Sequence, residues 1–140
     1  MLVRLIYASR AVDPIDQKML DRIMEQSRSS NAEAGITGML CACTDTSSFL
    51  QAIEGGRTQV NAVYADIVCD PRHEQVTLLA YDEIQERRFA NSRMGLVDLS
   101  RVNPGLVLRH AEHPALDTMT LSSRQATALM VEIAETLAGG

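Results

Sequence analysis

Tyr7 and Gln51 are uncharged polar side chains inside two short apolar segments whose alternation is typical of strand interiors. A period of two places Tyr7 on the same face of its segment as Leu5. Gln51 likewise shares a face with Phe49 and Ile53. A buried amide without partners costs about 1 to 3 kcal/mol, so a fold that keeps Gln51 there must supply partners for it. Two interpretations fit: the pair satisfies backbone groups at the ends of a sheet, or it lines a pocket for a planar, hydrogen-bonding ligand.

Length and composition limit the class of protein. With 140 residues, 46% of them hydrophobic and 22% charged, the chain has the composition of one soluble globular domain. Its net charge is -5 and its 13 lysines and arginines are scattered, which argues against direct nucleic-acid binding and against a role at a membrane surface. We find neither an apolar run of about 20 residues nor a signal-peptide pattern at the start. We therefore expect a cytoplasmic protein.

The cysteines and histidines do not predict a metal site. No spacing among the three cysteines and three histidines resembles a zinc motif. Cys41 and Cys43 lie in an apolar run and are expected to be small core residues with free thiols, like most buried cysteines. His110 and His113 are expected at the surface and not as ligands or pH switches.

The first helix is predicted from a start signal at Asp13, which would be the N-cap, with Pro14 at the first helical position. Apolar residues then recur every four positions, among them Met19 and Ile23, and predict a stripe that packs on a sheet. The polar run 27–31 is expected to end this helix.

The order of the elements predicts the fold. Apolar runs predict strands at 4–10, 36–43, 49–54, 76–80 and 94–97, and a helical pattern predicts a second helix at 58–70. We therefore predict an α+β, ferredoxin-like βαββαββ fold with a five-stranded mixed sheet, in which the first and third strands are neighbours and both helices cover one face. Tyr7 and Gln51 would then be neighbours on the helix-covered face.

The last part of the chain, residues 99–140, predicts two further helices, the second from about residue 122 to 137. We expect this helical extension to cap the other face of the sheet as part of the same domain that residues 1–98 begin. Exposure of Leu106, Val107 and Leu108 would favour a homodimer.

Ordered blocks along residues 2–98 resemble a known family. The blocks are Arg4–Ser9, Ser27–Arg28 with Asn31, Gly35–Leu40, Phe49–Gly55, Asp70–His73, and Arg88–Phe89 with Met94–Gly95. In this order and at these spacings they resemble the BLUF family, the blue-light sensors that use FAD. The resemblance favours the ligand pocket over the interpretation in which Tyr7 and Gln51 satisfy backbone groups.

The resemblance implies a bound flavin. The family uses FAD, and FMN or riboflavin could take its place. The implied photochemical residues are Tyr7 as the light-active tyrosine, Gln51 as the switching glutamine and Met94 as the methionine of the fifth strand. The implied cofactor-binding residues are Tyr7, Ile23, Ser27, Asn31, Leu40, Phe49, Gln51, Ile67, Asp70, Arg72 and His73. Asn31 would hold the polar edge of the flavin ring, Ile23 and Ile67 would enclose the ring, and Arg72 with its neighbours would meet the ribityl and phosphate part.

The implied mechanism suits these residue types. Tyr7 would give an electron and then a proton to the excited flavin along a path through Gln51, whose amide has both a donor and an acceptor end. After their return the amide would be rotated or tautomerised, with a stronger hydrogen bond to the flavin that shifts its absorption to the red. The change would bias Met94, the fifth strand and the helical tail, and signal to a separate, unknown effector protein.

Two features depart from common members of the family. Many relatives have a tryptophan two residues before the methionine, whereas this chain has Ser92 there and no tryptophan at all. A tryptophan electron donor or a tryptophan switch is therefore excluded. The loop before Phe49 is also slightly longer, which leaves the strand register of Gln51 unchanged.

Three alternatives compete with this interpretation. A LOV-type photoreceptor also has a Phe-Leu-Gln run, but Ser47 and Ser48 stand here where that class needs a cysteine. An acylphosphatase-like hydrolase on the same scaffold would rely on Arg10, in a loop that also contains an acid. A light-blind interaction module without flavin is the third. We expect no enzyme activity.

Overall fold

The computed structural model describes residues 1–90 and 95–139. The strands are β1 (Leu2–Ala11), β2 (Thr37–Cys43), β3 (Ser48–Gly56), β4 (His73–Ile84) and β5 (Gly95–Asp98), and the helices are α1 (Gln17–Ala34), α2 (Arg57–Val68), α3 (Pro104–Leu108) and α4 (Ser123–Gly139). Short 3-10 turns lie at Leu99–Arg101 and Thr118–Thr120. The predicted order of the sheet-forming elements and the α+β class are confirmed.

The sheet has the strand order β4-β1-β3-β2-β5. β1 is antiparallel to β3, with Tyr7 directly opposite Gln51, and β2 is parallel to β5. The sheet is therefore mixed, and the first and third strands are neighbours as predicted. Because directly opposed side chains point to the same face, the register alone brings Tyr7 and Gln51 together.

The two faces of the sheet have separate cores. Leu5 and Ile53 on one face pack with Leu20 of α1 and Val60 of α2. On the other face Ile6 and Leu50 belong to a core that also contains the buried side chains of the C-terminal region, Val107, Leu116, Leu121, Ala126, Leu129, Met130 and Ile133. The predicted arrangement, two helices on one face and the helical extension on the other, is confirmed.

Both predicted ends of the first helix are wrong. The helix begins at Gln17, because the Asp16 carboxylate caps it by accepting a hydrogen bond of 2.8 Å from the Met19 amide. It continues through the polar run 27–31 and ends at Ala34. Gly35 closes it in the left-handed conformation, with φ of 69°, as glycine commonly does after a helix.

The fourth strand is longer than predicted, and it starts where a helix stop was expected. α2 ends at Val68, and His73 is already the first residue of β4. β4 lies at the edge of the sheet and most of its side chains are exposed, so an apolar pattern marks only part of its length. The described part of β5 begins at Gly95, and the predicted Met94 lies outside the described residues.

The C-terminal region differs from the prediction in its first helix, which is only the short α3. Val107 is 1% exposed and belongs to the core, whereas Leu108 is 48% exposed. The expected exposure of the whole apolar run was therefore wrong. His110, expected at the surface, is half-buried, and its Nε2 is hydrogen-bonded to the Glu132 carboxylate, which joins the residues after α3 to α4.

The three cysteines are free, as expected, and differ in exposure. Cys41 and Cys43 are buried in β2, and burial raises the pKa of the Cys41 thiol to about 12. Cys69, the C-cap of α2, is exposed. In the described part of the chain, no helix combines the length and apolar character that crossing a membrane requires.

Candidate functional site

A direct hydrogen bond joins the two residues that the sequence singles out. The Tyr7 hydroxyl donates to Oε1 of Gln51. The side chains come from adjacent strands and are almost fully enclosed, at 3% exposed for Tyr7 and 5% for Gln51. The period of two in β1 and β3 turns both toward α1 and α2. The pair therefore forms a buried, uncharged contact at the centre of the sheet.

This pair opens onto a cavity of about 190 Å³ between the sheet and the two helices. That is far more space than a single water molecule needs. The cavity is lined by Tyr7, Ile23, Gln26, Ser27, Asn31, Leu40, Phe49, Gln51, Val63, Asp66, Ile67, Asp70, Arg72 and His73. All eleven residues predicted to bind the cofactor are in this set, so the structure brings them together. The predicted Met94 lies outside the described residues.

The walls of the cavity are apolar and its inner edge is polar. Ile23 on α1 and Ile67 on α2 approach from the two helices, and Leu40 and Phe49 line the sheet side. Asn31 is buried and adds an amide from the last turns of α1. A slot with apolar walls and a few fixed polar groups is typical of sites for planar organic ligands.

The polar run 27–31, which was predicted to end α1, contributes two side chains to this slot. Ser27 and Asn31 are four residues apart, so they lie on one face of the helix, and both line the cavity. These two residues are polar because they face the cavity, and the helix continues through them unchanged.

The mouth of the cavity carries a tightly bonded ion pair between Asp70 and Arg72. Arg72 Nε lies 2.9 Å from Asp70 Oδ1, and the Arg72 amide donates to the same oxygen at 2.9 Å. Arg72 Nη2 also donates to Gln26 Oε1 at 2.7 Å, which joins this end of the cavity to α1. The hydrogen bond from Arg72 lowers the pKa of Asp70, and the same bond raises the pKa of Arg72. Both groups therefore stay charged at neutral pH.

His73 is held between two partners beside Tyr7. Its Nε2 lies 2.6 Å from the Ile67 carbonyl, which can only accept, so Nε2 carries a proton. Its Nδ1 lies 2.8 Å from the Ser9 hydroxyl, which donates when the ring is neutral. The ring stands edge-on to Tyr7, with centroids 6.1 Å apart. This ring, held by two hydrogen bonds, packs against the edge of Tyr7.

The surroundings of Tyr7 keep it a neutral phenol. Burial raises the pKa of Tyr7, and nearby Asp70 and Tyr64 raise it further. The Tyr64 ring is 5.9 Å from the Tyr7 ring, centroid to centroid. A neutral phenol can donate a hydrogen bond and can give up an electron together with a proton, whereas a phenolate has already lost the proton.

Three lining residues were missed by the sequence analysis: Gln26, Val63 and Asp66. Their signal was helical spacing, because Gln26 follows Ile23 by three positions in α1, and in α2 Val63 precedes Asp66 by three and Ile67 by four. Polar residues on a helix are read as solvent-facing unless a cavity is known to be there. Arg10, on which the hydrolase alternative relied, does not line the cavity and is paired with Asp117.

Comparisons with known proteins agree with this site. The family model described as "BLUF: Sensors of blue-light using FAD" matches residues 2–95. The "Blue light- and temperature-regulated antirepressor BluF" of Escherichia coli (strain K12) is 34% identical over 99 residues, which are 71% of this chain and 24% of that protein. This chain thus spans about a quarter of the length of that relative.

Solved structures extend the likeness over nearly the whole chain. The dark-state structure of BlrB, a BLUF protein, is 32% identical with a TM-score of 0.77, and 96% of each chain is covered. The structure of the BlsA photo-activated state is 25% identical with a TM-score of 0.81, covering 96% of this chain and 95% of that one. Fold, cavity and family match agree: the chain belongs to the BLUF family, the sensors of blue light that use FAD, and is a flavin-binding blue-light sensor.

Proposed function

We propose that this chain switches by rearranging the hydrogen bonds of Tyr7 and Gln51 beside a bound flavin when it absorbs blue light. The observation that carries the proposal is the buried hydrogen bond from the Tyr7 hydroxyl to Gln51 Oε1 at the wall of the cavity. A neutral tyrosine bonded to an amide is a pair that can move a proton and then exchange donor and acceptor ends. Met94, expected near Gln51, completes the proposed photochemical set.

The residues of the cavity fit a flavin. Ile23 and Ile67 would enclose a planar ring, and Asn31 would meet its polar edge with an amide that can donate and accept. Ser27, Leu40 and Phe49 complete the lining. A bound flavin supplies a light-absorbing ring whose excited state is a strong oxidant.

Tyr7 and Gln51 have distinct parts in the switch. With a flavin bound, Tyr7 would be the residue that gives up an electron and its phenolic proton, and Gln51, whose carbonyl it already contacts, would be the path that the proton takes. After both return to Tyr7, the Gln51 amide would be left rotated or tautomerised. His73, fixed by Ser9 and by the Ile67 carbonyl, holds the tyrosine ring in place during the exchange.

The form of the flavin is proposed to be FAD, with FMN or riboflavin as substitutes. Asp70, Arg72 and His73 at the mouth would meet the ribityl and phosphate part, and Arg72 is the cation of this group. Arg72 is already paired with Asp70, and Asp66 also lines the cavity. The mouth therefore carries no excess positive charge to attract a phosphate. We expect the affinity for a flavin to come mainly from contacts with its ring inside the cavity.

The output is proposed to pass to a separate effector protein, with residues 1–98 as the flavin-binding part and 99–140 as its cap. We expect no catalysis by this chain, a cytoplasmic location and no direct nucleic-acid binding.

A homodimer stays a prediction. Among the apolar tail residues, the exposed Leu108 supports it, whereas the buried Val107 does not. The relative from Escherichia coli is named an antirepressor, which supports a protein partner as the target.

The test is the visible spectrum of purified protein before and after blue light. We expect a flavin spectrum that shifts to the red and recovers in darkness. Tyr7→Phe and Gln51→Leu should keep the flavin and lose the shift, because each removes one end of the bond. Tyr81→Phe is the matched control, since Tyr81 is exposed and bonded to Asn61 outside the cavity, and it should behave like the wild type.

Two results would contradict the proposal. Protein that binds no flavin would support the light-blind module instead. A red shift of full size in Gln51→Leu would remove the amide from the mechanism.

A further inference from the structure

The segment that leads into α4 is fastened to the start of β3 by buried hydrogen bonds of Thr118. Its hydroxyl donates to the Phe49 carbonyl at 2.8 Å, and its amide donates to Ser48 Oγ at 3.2 Å. Thr118 and Ser48 are both completely buried. A threonine with two bonds to one strand, enclosed from water, fixes the position of its backbone relative to that strand.

A second group of bonds ties the same segment to the end of β1 and to the turn before β3. Arg10 Nη2 lies 3.0 Å from Asp117 Oδ2, and Arg10 Nη1 donates to the Thr46 carbonyl at 3.1 Å. Thr46 Oγ1 in turn donates to the Leu116 carbonyl at 2.8 Å. We call residues 116–118 the latch. The latch thus contacts both strands that carry the Tyr7–Gln51 pair.

The latch bonds to β3 two positions before Gln51 of the proposed switch. Phe49 lines the cavity with its side chain while its carbonyl accepts the bond from Thr118. Gln51 is two positions further on the same strand and the same face. A change that displaces β3 at Gln51 therefore displaces the Phe49 carbonyl as well.

On its other side the latch leads directly into α4. Leu121 directly after the 3-10 turn and Ala126 in α4 are buried in the core of the second face. The two bonds of Thr118 therefore set where α4 enters that core.

We propose that Thr118 is a positioning residue that couples β3 to α4, so that light loosens the latch and the first turns of α4. This inference rests on the proposed light switch. The latch bonds through Thr118 and Thr46 are between 2.8 and 3.2 Å long. Because hydrogen bonds weaken steeply with poorer geometry, a displacement of β3 away from this arrangement weakens them. This route does not pass through β5.

The test is amide hydrogen exchange of the full, flavin-loaded chain in darkness and under blue light. In the wild type, amides of residues 124–130 should exchange roughly fivefold faster in light, the factor expected for losing one hydrogen bond. Thr118→Val keeps the shape of the side chain and removes the hydroxyl. It should raise dark exchange and reduce the light-to-dark ratio to about one, with the red shift of the flavin retained.

Thr120→Val is the matched control. Thr120 belongs to the same 3-10 turn, but it is exposed and its hydroxyl bonds only within the turn, to the Asp117 carbonyl. It should keep the light-to-dark ratio of the wild type. A purely structural role of Thr118 would raise exchange in darkness and light alike and leave the ratio unchanged, which would overturn the coupling.

The outcomes separate the two proposals. A wild type without a red shift contradicts the light switch itself. If the red shift occurs but hydrogen exchange in α4 does not respond to light, the latch proposal alone is overturned.

If Thr118→Val does not fold, Asp117→Asn replaces it. Asparagine can still accept from the Met119 amide but loses the charge pair with Arg10. It should lower the light-to-dark ratio, and an unchanged ratio would again overturn the coupling.

Discussion

Two of the directly opposed polar pairs of β1 and β3 lie on different faces of the sheet and differ in charge. On the α1 and α2 face, Tyr7 lies opposite Gln51, and the pair is neutral and borders a cavity. On the other face, Arg4 lies opposite Glu54, and Arg4 Nε donates to Glu54 Oε2 at 2.8 Å.

The charged pair has backbone partners as well. The completely buried Glu54 carboxylate accepts from the amides of Arg88 and Phe89 as well, at 3.1 and 2.8 Å. Breaking a buried charge pair costs about 3 to 5 kcal/mol, whereas a neutral hydrogen bond contributes about 1 kcal/mol. The neutral pair can therefore change partners at a lower cost, while the charged pair holds the same two strands in register.

The largest effect is expected from breaking the charged pair. Glu54→Gln leaves Arg4 buried without its counter-charge and should lower the free energy of unfolding by about 3 to 5 kcal/mol. Denaturant unfolding of the flavin-loaded protein measures this, and the folded fraction should still show the red shift. As a comparison, Gln51→Leu should cost far less stability and lose the shift. Equal losses of stability in the two variants would refute the distinction between the faces.

A smaller effect is expected from removing the flavin, and it should be confined to one face. Val60 is the one fully buried residue among those described in α2, whereas α4 buries Ala126, Leu129, Met130 and Ile133. We therefore expect the helices of the cavity face, and α2 above all, to gain stability from what fills the cavity. Ligand present at a hundred times its dissociation constant stabilises by about 2.7 kcal/mol.

Hydrogen exchange with and without flavin can locate that stabilisation. Protection should be lost in α1 and α2 and largely retained in α4, and adding flavin back should restore it. Loss of protection spread evenly over both faces would contradict the prediction.

The smallest effect is expected from pH. Burial raises the pKa of Tyr7 above its ordinary value of about 10, so the donor proton is present throughout the neutral and mildly alkaline range. The amplitude of the red shift should therefore be flat between about pH 6 and pH 9.

The same shift in pKa has a consequence for stability. Above about pH 10 the unfolded chain loses the tyrosine proton before the folded chain does, so the contribution of Tyr7 to stability is present below that pH and falls above it. Spectra and unfolding curves across this range check both statements. An amplitude that titrates away well below pH 9 would indicate that Tyr7 is not in the environment described.

The sequence predicted the faces of the strands better than the ends of the helices. Alternation decides which side chains point to one face, so Tyr7 and Gln51 were assigned correctly without any knowledge of α1. The end of α1 was wrong because Ser27 and Asn31 face a cavity that sequence patterns do not reveal. Val107 was misassigned because an apolar run beside turn residues does not tell which of its members reaches the core.

The uneven exposure of the cysteines makes the chain suited to optical study without any substitution. Cys41 and Cys43 are enclosed in β2, so among the chain's three thiols Cys69 alone is exposed. It precedes Asp70, which lines the cavity. A thiol-reactive dye would therefore attach at a single position beside the cavity mouth and act as a built-in reporter of the movements there.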